Sequence, residues 1–134
     1  GDGKSCCFMG VVSDMNQAYT AMDCLAHPTT QDAFPLVLLE AMAHQVPVIT
    51  TSAPYNNMGG LLVNQKNAIL LSSPQEIEGL AKGLCSIWQK EDLRQTITRH
   101  GLEFAKQYSW DVAKFKYYEV YRKVTKNDKS PAPR

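Results

Sequence analysis

The sequence predicts an α/β domain: a parallel sheet with helices on both faces. Two observations carry that expectation. Short apolar runs alternate with stretches of helical periodicity, and each run is unbroken by polar residues, as in strands buried on both sides. The second half of the chain is then helical throughout, so the domain is expected to end in helices. Three or four strands can be counted. That is few for a doubly wound sheet standing alone, so the chain is expected to be the back half of something larger.

The elements follow in order. Ser5-Cys-Cys-Phe-Met9 is a short strand candidate ended by Gly10. Ser13 or Asp14 can cap a short helix in which Met15, Ala18, Tyr19 and Met22 recur at helical spacing. Cys24-Leu-Ala26 is a second apolar run, stopped at His27-Pro28 because the residue before proline is held extended. After the polar loop Thr29–Ala33, Pro35 suits a first helical turn and Leu36–His44 reads as a helix. Pro47–Thr51 is a strand with β-branched residues, Tyr55–Gly60 a loop rich in asparagine and glycine, and Ala68–Leu71 a further buried strand.

Ser73-Pro-Gln-Glu76 has the form of a capping box with proline at the first helical position. Behind it Ile77, Leu80, Ala81, Leu84, Ile87 and Trp88 are expected to line one buried face. A second helix starts near Glu91 with Leu93, Ile97, Phe104 and Tyr108. Ser109 caps a third, in which Trp110, Ala113, Tyr117, Tyr121 and Val124 are expected to face the core. Residues 1–124 form the expected domain and 125–134, polar with two prolines, a flexible tail.

Composition narrows the function. The 134 residues are 44% hydrophobic and 20% charged, enough apolar material for a core. Fourteen Lys and Arg against thirteen Asp and Glu give a net charge of +1, so no basic excess points to nucleic acid. No apolar run approaches the ~20 residues of a membrane-spanning helix, and no signal peptide is visible. Cys6, Cys7, Cys24 and Cys85 form no C-x-x-C pair and do not cluster with His27, His44 and His100 at metal-ligand spacing. Four buried thiols in a reducing cytosol are expected, rather than a disulfide framework.

The chemistry concentrates in Asp32-Ala-Phe-Pro-Leu-Val-Leu-Leu-Glu40. An acid opens a strand-to-helix loop, and a second acid follows inside an apolar helix. Glu40 shares a helical face with Leu36, Val37 and Ala43, so it is expected to point inward or into a cleft. A carboxylate there needs a partner, and a ligand hydroxyl would serve. About five residues of helix at ~1.5 Å each would let both acids reach one pocket. The helix start near Phe34-Pro-Leu36 offers free N–H groups and a positive dipole end to a diphosphate. The plainer alternative stays open: Asp32, Thr29 and Thr30 could cap the helix, and Glu40 could pair with a lysine.

The stretch His27-Pro-Thr-Thr-Gln-Asp-Ala-Phe-Pro-Leu-Val-Leu-Leu-Glu-Ala-Met-Ala43, followed by Pro47-Val-Ile49, closely resembles the donor-binding segment of family 4 (group 1) retaining glycosyltransferases. Further matches run in family order. Phe8-Met-Gly10 resembles the family's "F-L-G", Asp23–Pro28 the strand before the signature, Asn67-Ala-Ile-Leu-Leu71 its "N-G-L-L-V", and Tyr108-Ser-Trp110 its "F-S-W". The resemblance covers roughly residues 6–124. It implies a Rossmann-like parallel sheet, the C-terminal half of a GT-B fold, binding a nucleotide-sugar donor.

By that resemblance Asp32 is the catalytic position, contacting donor-sugar hydroxyls. Thr30, Ala33 and the backbone of Phe34, Pro35 and Leu36 line the donor, and Glu40 holds the ribose. No metal or other cofactor is expected, since helix dipole and basic side chains meet the phosphate charge. The implied partners are a nucleotide-sugar donor, preferably uridine-linked, a glycan or lipid-linked acceptor, and an N-terminal acceptor domain. The chain alone is expected to be inactive. The alternative is a non-catalytic nucleotide-sugar-binding or structural partner module.

Departures from the family pattern are visible. Asp32 stands for the usual glutamate, Ala33-Phe-Pro35 for glycine-containing turns, Gln45 for a helix-ending glycine, and Ala68 for glycine. The family's basic pair lies upstream of this chain's start. Gly1-Asp-Gly3 resembles the family's "G-D-G" without the helix that normally follows it, either a genuine shortening or an artificial start. Lys4 has the wrong spacing for a P-loop. His27 is expected to shape the proline turn. Tyr55-Asn-Asn57 resembles a "Y-N-G" loop of lipopolysaccharide-core sugar transferases, which favours cytoplasmic cell-envelope polysaccharide synthesis. Tyr117, Tyr118 and Tyr121 are expected in core and interdomain contacts. Lys114, Lys116, Arg122, Lys123 and Lys126 suit either a solvated helix face or peripheral contact with an anionic inner-membrane face.

Overall fold

A computed structural model describes residues 6–127. Its centre is a three-stranded parallel sheet in the order β1 (Leu25–His27), β2 (Val48–Thr51), β3 (Ile69–Leu71). Ala26 stands opposite Ile49, and Thr50 opposite Leu70. Helices α1 (Met15–Ala21) and α2 (Leu36–Ala43) flank β1 in sequence. A 3-10 turn at Asn57–Gly60 lies between β2 and β3. Helices α3 (Ile77–Gln89), α4 (Glu91–Lys106) and α5 (Trp110–Asn127) complete the described chain. No helix among the described residues is long and apolar enough to cross a membrane.

The alternation of side chains along a strand divides the core into two layers. On one face Leu25, Val48 and Leu70 meet Leu38, Ala41 and Met42 of α2, Phe104 and Ala105 of α4, and Tyr19 of α1. On the other, Ile49, Ile69 and Leu71 meet Leu80 and Ile87 of α3. Both faces of the sheet are therefore covered, as the apolar runs predict. The close contact of α4 with α2 depends on Gly101, where a Cβ would stand 3.2 Å from Met42 Cγ.

Helix α1 begins as expected, with Asp14 accepting from Asn16 and Gln17 N–H groups at 3.0 and 3.3 Å. Ser109 likewise caps α5, accepting from Val112 N–H at 3.4 Å. Pro35 occupies the N-cap of α2, one residue before the first turn. At the other end Gln45 adopts φ +61°, Gln45 N–H donates to Met42 O and Val46 N–H to Ala41 O. This is the left-handed helix stop that glycine reaches without a Cβ penalty, which explains why a glycine suits this position and why Gln45 is a departure.

Several expectations are corrected. Cys6–Met9 forms no strand: Phe8 is 98% exposed, and among the described residues no backbone pairs with the segment; Ser5 lies outside them. The four thiols are not buried, since Cys6, Cys7 and Cys85 are exposed and Cys24 is half-buried. Burial, with Asp23 adding to it, pushes the Cys24 thiol up to about 11. Ser73–Glu76 precedes the helix instead of starting it. Glu76 reaches back to the Ser72 hydroxyl and N–H, both at 2.6 Å, and these bonds hold its carboxyl below the usual range.

The buried face of α3 is narrower than its apolar spacing implies. Ile87 is buried and Leu80 half-buried, whereas Ile77, Ala81, Leu84 and Trp88 are exposed, because a three-stranded sheet covers only part of the helix. Of the α5 residues expected to face the core, Trp110, Tyr117, Tyr121 and Val124 are all exposed and only Ala113 is half-buried. Tyr118 is also exposed, so none of the three helix tyrosines is core. Both faces of the sheet are already occupied by the time the chain reaches α5. That helix continues through Thr125 to Asn127; Gly1–Lys4 and the rest of the expected tail, 128–134, lie outside the described residues.

Candidate functional site

All three strands run the same way, so their carboxyl ends, at His27, Thr51 and Leu71, open on one side of the sheet. Loops leaving parallel strands there form the crevice where α/β sheets bind ligands. The loop leaving β1 carries Thr30, Asp32, Ala33, Phe34 and Pro35 and ends in α2. The loop leaving β2 crosses beside it: Asp32 N–H donates to Tyr55 O at 2.9 Å, and Asn57 N–H to Asp32 O at 3.1 Å.

A buried polar chain beneath these loops fixes them. Thr50 Oγ1 donates to His27 O at 3.0 Å, and Thr51 Oγ1 to Thr29 O at 2.9 Å. Asn56, wholly buried, donates from Nδ2 to Thr50 Oγ1 and accepts from Met58 N–H, each at 3.0 Å. Threonines in the central strand thus hold the first loop, and Asn56 holds the second.

Asp32 is half-buried, with Oδ1 accepting from Phe34 N–H at 3.1 Å and Oδ2 standing 4.0 Å from His27 Nε2. It therefore does shape the turn, as the plainer reading has it. His27 Nδ1 is buried with no hydrogen-bond partner. Neither Thr29 nor Thr30 caps α2: Pro35 makes no side-chain cap, so the dipole end of the first turn stays uncapped by side chains. Thr30, Ala33 and Leu36 are exposed, and Phe34, 40% exposed, packs on Tyr108 with ring centroids 5.5 Å apart. Pro35 is buried.

Of the two expected orientations, inward or into a cleft, Glu40 does not take the inward one. It lies one turn beyond Leu36 on the exposed side of α2, not inward, because Leu38, Ala41 and Met42 take the core side. Its partner is not a lysine. Tyr19 Oη donates to Glu40 Oε2 at 2.7 Å, and His44, stacked on Tyr19 at 5.1 Å, places Nδ1 2.8 Å from Glu40 O. Tyr19, which sequence reasoning placed only in the helical repeat of α1, is thus the partner of this acid. Its helical spacing marks the ring as buried, but nothing in the spacing aims the hydroxyl.

Burial, then the Glu40 carboxylate, pushes the Tyr19 phenol from 10.0 up to about 12. The folded protein then holds this proton more tightly than the unfolded chain. The associated stability is fully present below about pH 10 and lost as pH rises through about 12. Urea unfolding followed across that window should show a decline in the wild type that is smaller in Tyr19→Phe.

Two large cavities lie away from these acids. One of about 900 Å³ is lined by Asp23, Pro47, Asp92, Arg94 and Arg99 at the amino ends of β1 and β2. Another of about 850 Å³ lies between Cys24, Leu84, Trp88 and Arg94. Among the described residues no group of three His, Cys, Asp or Glu side chains is gathered as for a metal ion.

A short parallel sheet, with a loop at its carboxyl end presenting Asp32 before an uncapped helix start and Glu40 exposed further along that helix, defines a Rossmann-like half-domain. Residues 2–90 match the family model described as glycosyl transferases group 1, and the chain belongs to that family. A D-inositol 3-phosphate glycosyltransferase of Corynebacterium urealyticum is 31% identical over 119 residues, 87% of this chain and 27% of that protein. Anabaena HepE in complex with UDP-glucose superimposes with a TM-score of 0.73 at 24% identity, covering 88% of this chain and 32% of that one. The C-terminal domain of the group 1 glycosyl transferase LpcC from Francisella tularensis gives 0.64 at 27% identity, covering 75% and 51%. The fold is thus the C-terminal half of a GT-B architecture. The chain spans about a quarter of the length of curated relatives such as the Corynebacterium protein.

Proposed function

We propose that this chain is the donor-binding domain of a glycosyltransferase that moves a sugar from a nucleoside diphosphate, of the uridine class, to a glycan or lipid-linked acceptor with retention of configuration. The observation that carries the reading is the loop leaving the carboxyl end of β1, which presents Asp32 just before the uncapped first turn of α2, with Glu40 exposed one turn beyond Leu36 on the same helix. In this reading the N–H groups and dipole of that turn meet the diphosphate. Glu40 accepts from the ribose hydroxyls. Asp32 contacts the donor sugar, with Thr30, Ala33, Phe34, Pro35 and Leu36 forming the wall between. No resident metal takes part, and basic side chains supply the remaining countercharge. The UDP-glucose complex of HepE supports the choice of nucleotide. Transfer requires an acceptor domain, so the chain by itself gives none, and the complete protein works at the cytoplasmic side in polysaccharide synthesis.

Amide NMR spectra recorded while adding UDP, UDP-glucose, UDP-N-acetylglucosamine and GDP-mannose test this directly. Saturable shifts clustered at residues 30–40 with the uridine ligands, weakened in Glu40→Ala, are expected. A folded sample unmoved by every nucleotide, or sugar transfer by the chain alone, would contradict the proposal.

A further inference from the structure

Glu40 stands on an open helix face, yet its carboxylate is not free to wander. Tyr19 approaches from α1 with its ring in the core, only 2% of the residue exposed, and its hydroxyl 2.7 Å from Glu40 Oε2. A phenylalanine would fill the same core space, but a buried phenol must find an acceptor, and the acceptor is this carboxylate. A carboxylate carries two oxygens and about four acceptor positions, so one bond at Oε2 leaves Oε1 to other donors. His44 stacks on the phenol and meets the main-chain carbonyl of Glu40.

We propose that Tyr19 is a positioning residue for the donor: its hydroxyl anchors Oε2 of Glu40, so that Oε1 is held ready to accept from the adjacent hydroxyls of a nucleotide ribose. The inference rests on the reading of Glu40 as the ribose-binding acid. A long flexible acid on an exposed face loses rotamer freedom when it binds, and a charge-assisted bond made beforehand removes much of that loss. The phenol remains protonated, and so a donor, through the neutral range.

The test is calorimetric titration of the full chain with UDP and with 2′-deoxy-UDP, in wild type, Tyr19→Phe, Glu40→Gln and the double variant. The wild type should prefer the ribonucleotide. Tyr19→Phe should weaken UDP about three- to tenfold while changing 2′-deoxy-UDP little, so the preference shrinks. The double variant should be no weaker than Glu40→Gln alone, because Tyr19 acts through that acid.

Equal weakening of both nucleotides, or no change in either, overturns the positioning role and leaves the reading of Glu40 standing. A Glu40→Gln variant that binds UDP as well as the wild type overturns both, as does a wild-type chain that binds no UDP. The Tyr19 ring resonances of the wild type give a second readout that needs no variant at that position. They should shift as UDP saturates, and unshifted resonances overturn the proposal.

Discussion

Asn56→Ala should cost about 2–4 kcal/mol of stability and weaken nucleotide binding at the same time. The amide is wholly buried and uses both ends: Nδ2 donates to Thr50 Oγ1, and Oδ1 accepts from Met58 N–H. Alanine leaves Met58 N–H without that acceptor among buried neighbours, and it empties the space beneath the loop. That loop also holds the backbone of Asp32, through Tyr55 O and Asn57 N–H. Loosening it should therefore move an acid that Asn56 does not touch by its side chain. Urea unfolding should show a lower midpoint with an unchanged slope. Asn57→Ala, at the exposed neighbouring position, should stay within about 0.5 kcal/mol of the wild type. Comparable losses at both positions would mean that the amide network is not what holds the loop.

Leu38→Ala and Leu36→Ala should separate stability from binding on a single helix. Leu38 is wholly buried between α2 and the sheet, so truncation should cost about 2–5 kcal/mol, a large part of a typical domain's stability. Leu36 is 61% exposed beside the first turn, on the same side as Glu40, and its truncation should barely change stability. Its effect should instead be felt in the affinity for a uridine nucleotide. Thermal unfolding and UDP titration of both variants decide the matter. A destabilised Leu36→Ala, or a Leu38→Ala that unfolds like the wild type, would mean that α2 presents a different face to the core.

The outcomes at particular residues show what kind of information each level holds. The strands at Leu25–His27, Val48–Thr51 and Ile69–Leu71 fall where continuous apolar runs put them, within one or two residues. Asp14 and Ser109 cap as their side chains suggest. The Phe8-Met9 run has the composition of a strand but pairs with no backbone among the described residues, and composition alone cannot supply a partner. Likewise α5 has a readable stripe of Trp110, Tyr117, Tyr121 and Val124, yet the surface that a stripe meets is not written in its spacing. Asp32 and Glu40 stand out in the sequence as acids in an apolar context. Tyr19 does not, because an aromatic at a core position looks the same whether or not its hydroxyl has work to do.

The sequence by itself determined the class of domain, the parallel sheet, the order of its elements and the segment that carries the two acids. These follow from local properties: apolar periodicity, capping residues, proline placement and the residue types at a loop-to-helix junction. Tertiary structure alone decided that Glu40 faces outward, that a phenol from α1 anchors it, and that Asn56 ties the second loop to Thr50 of the central strand. Each of these depends on which atoms from distant parts of the chain come within about 3 Å of one another, where hydrogen bonds form. Spacing along the chain sets which face of a helix a residue occupies. Only packing sets what that face meets.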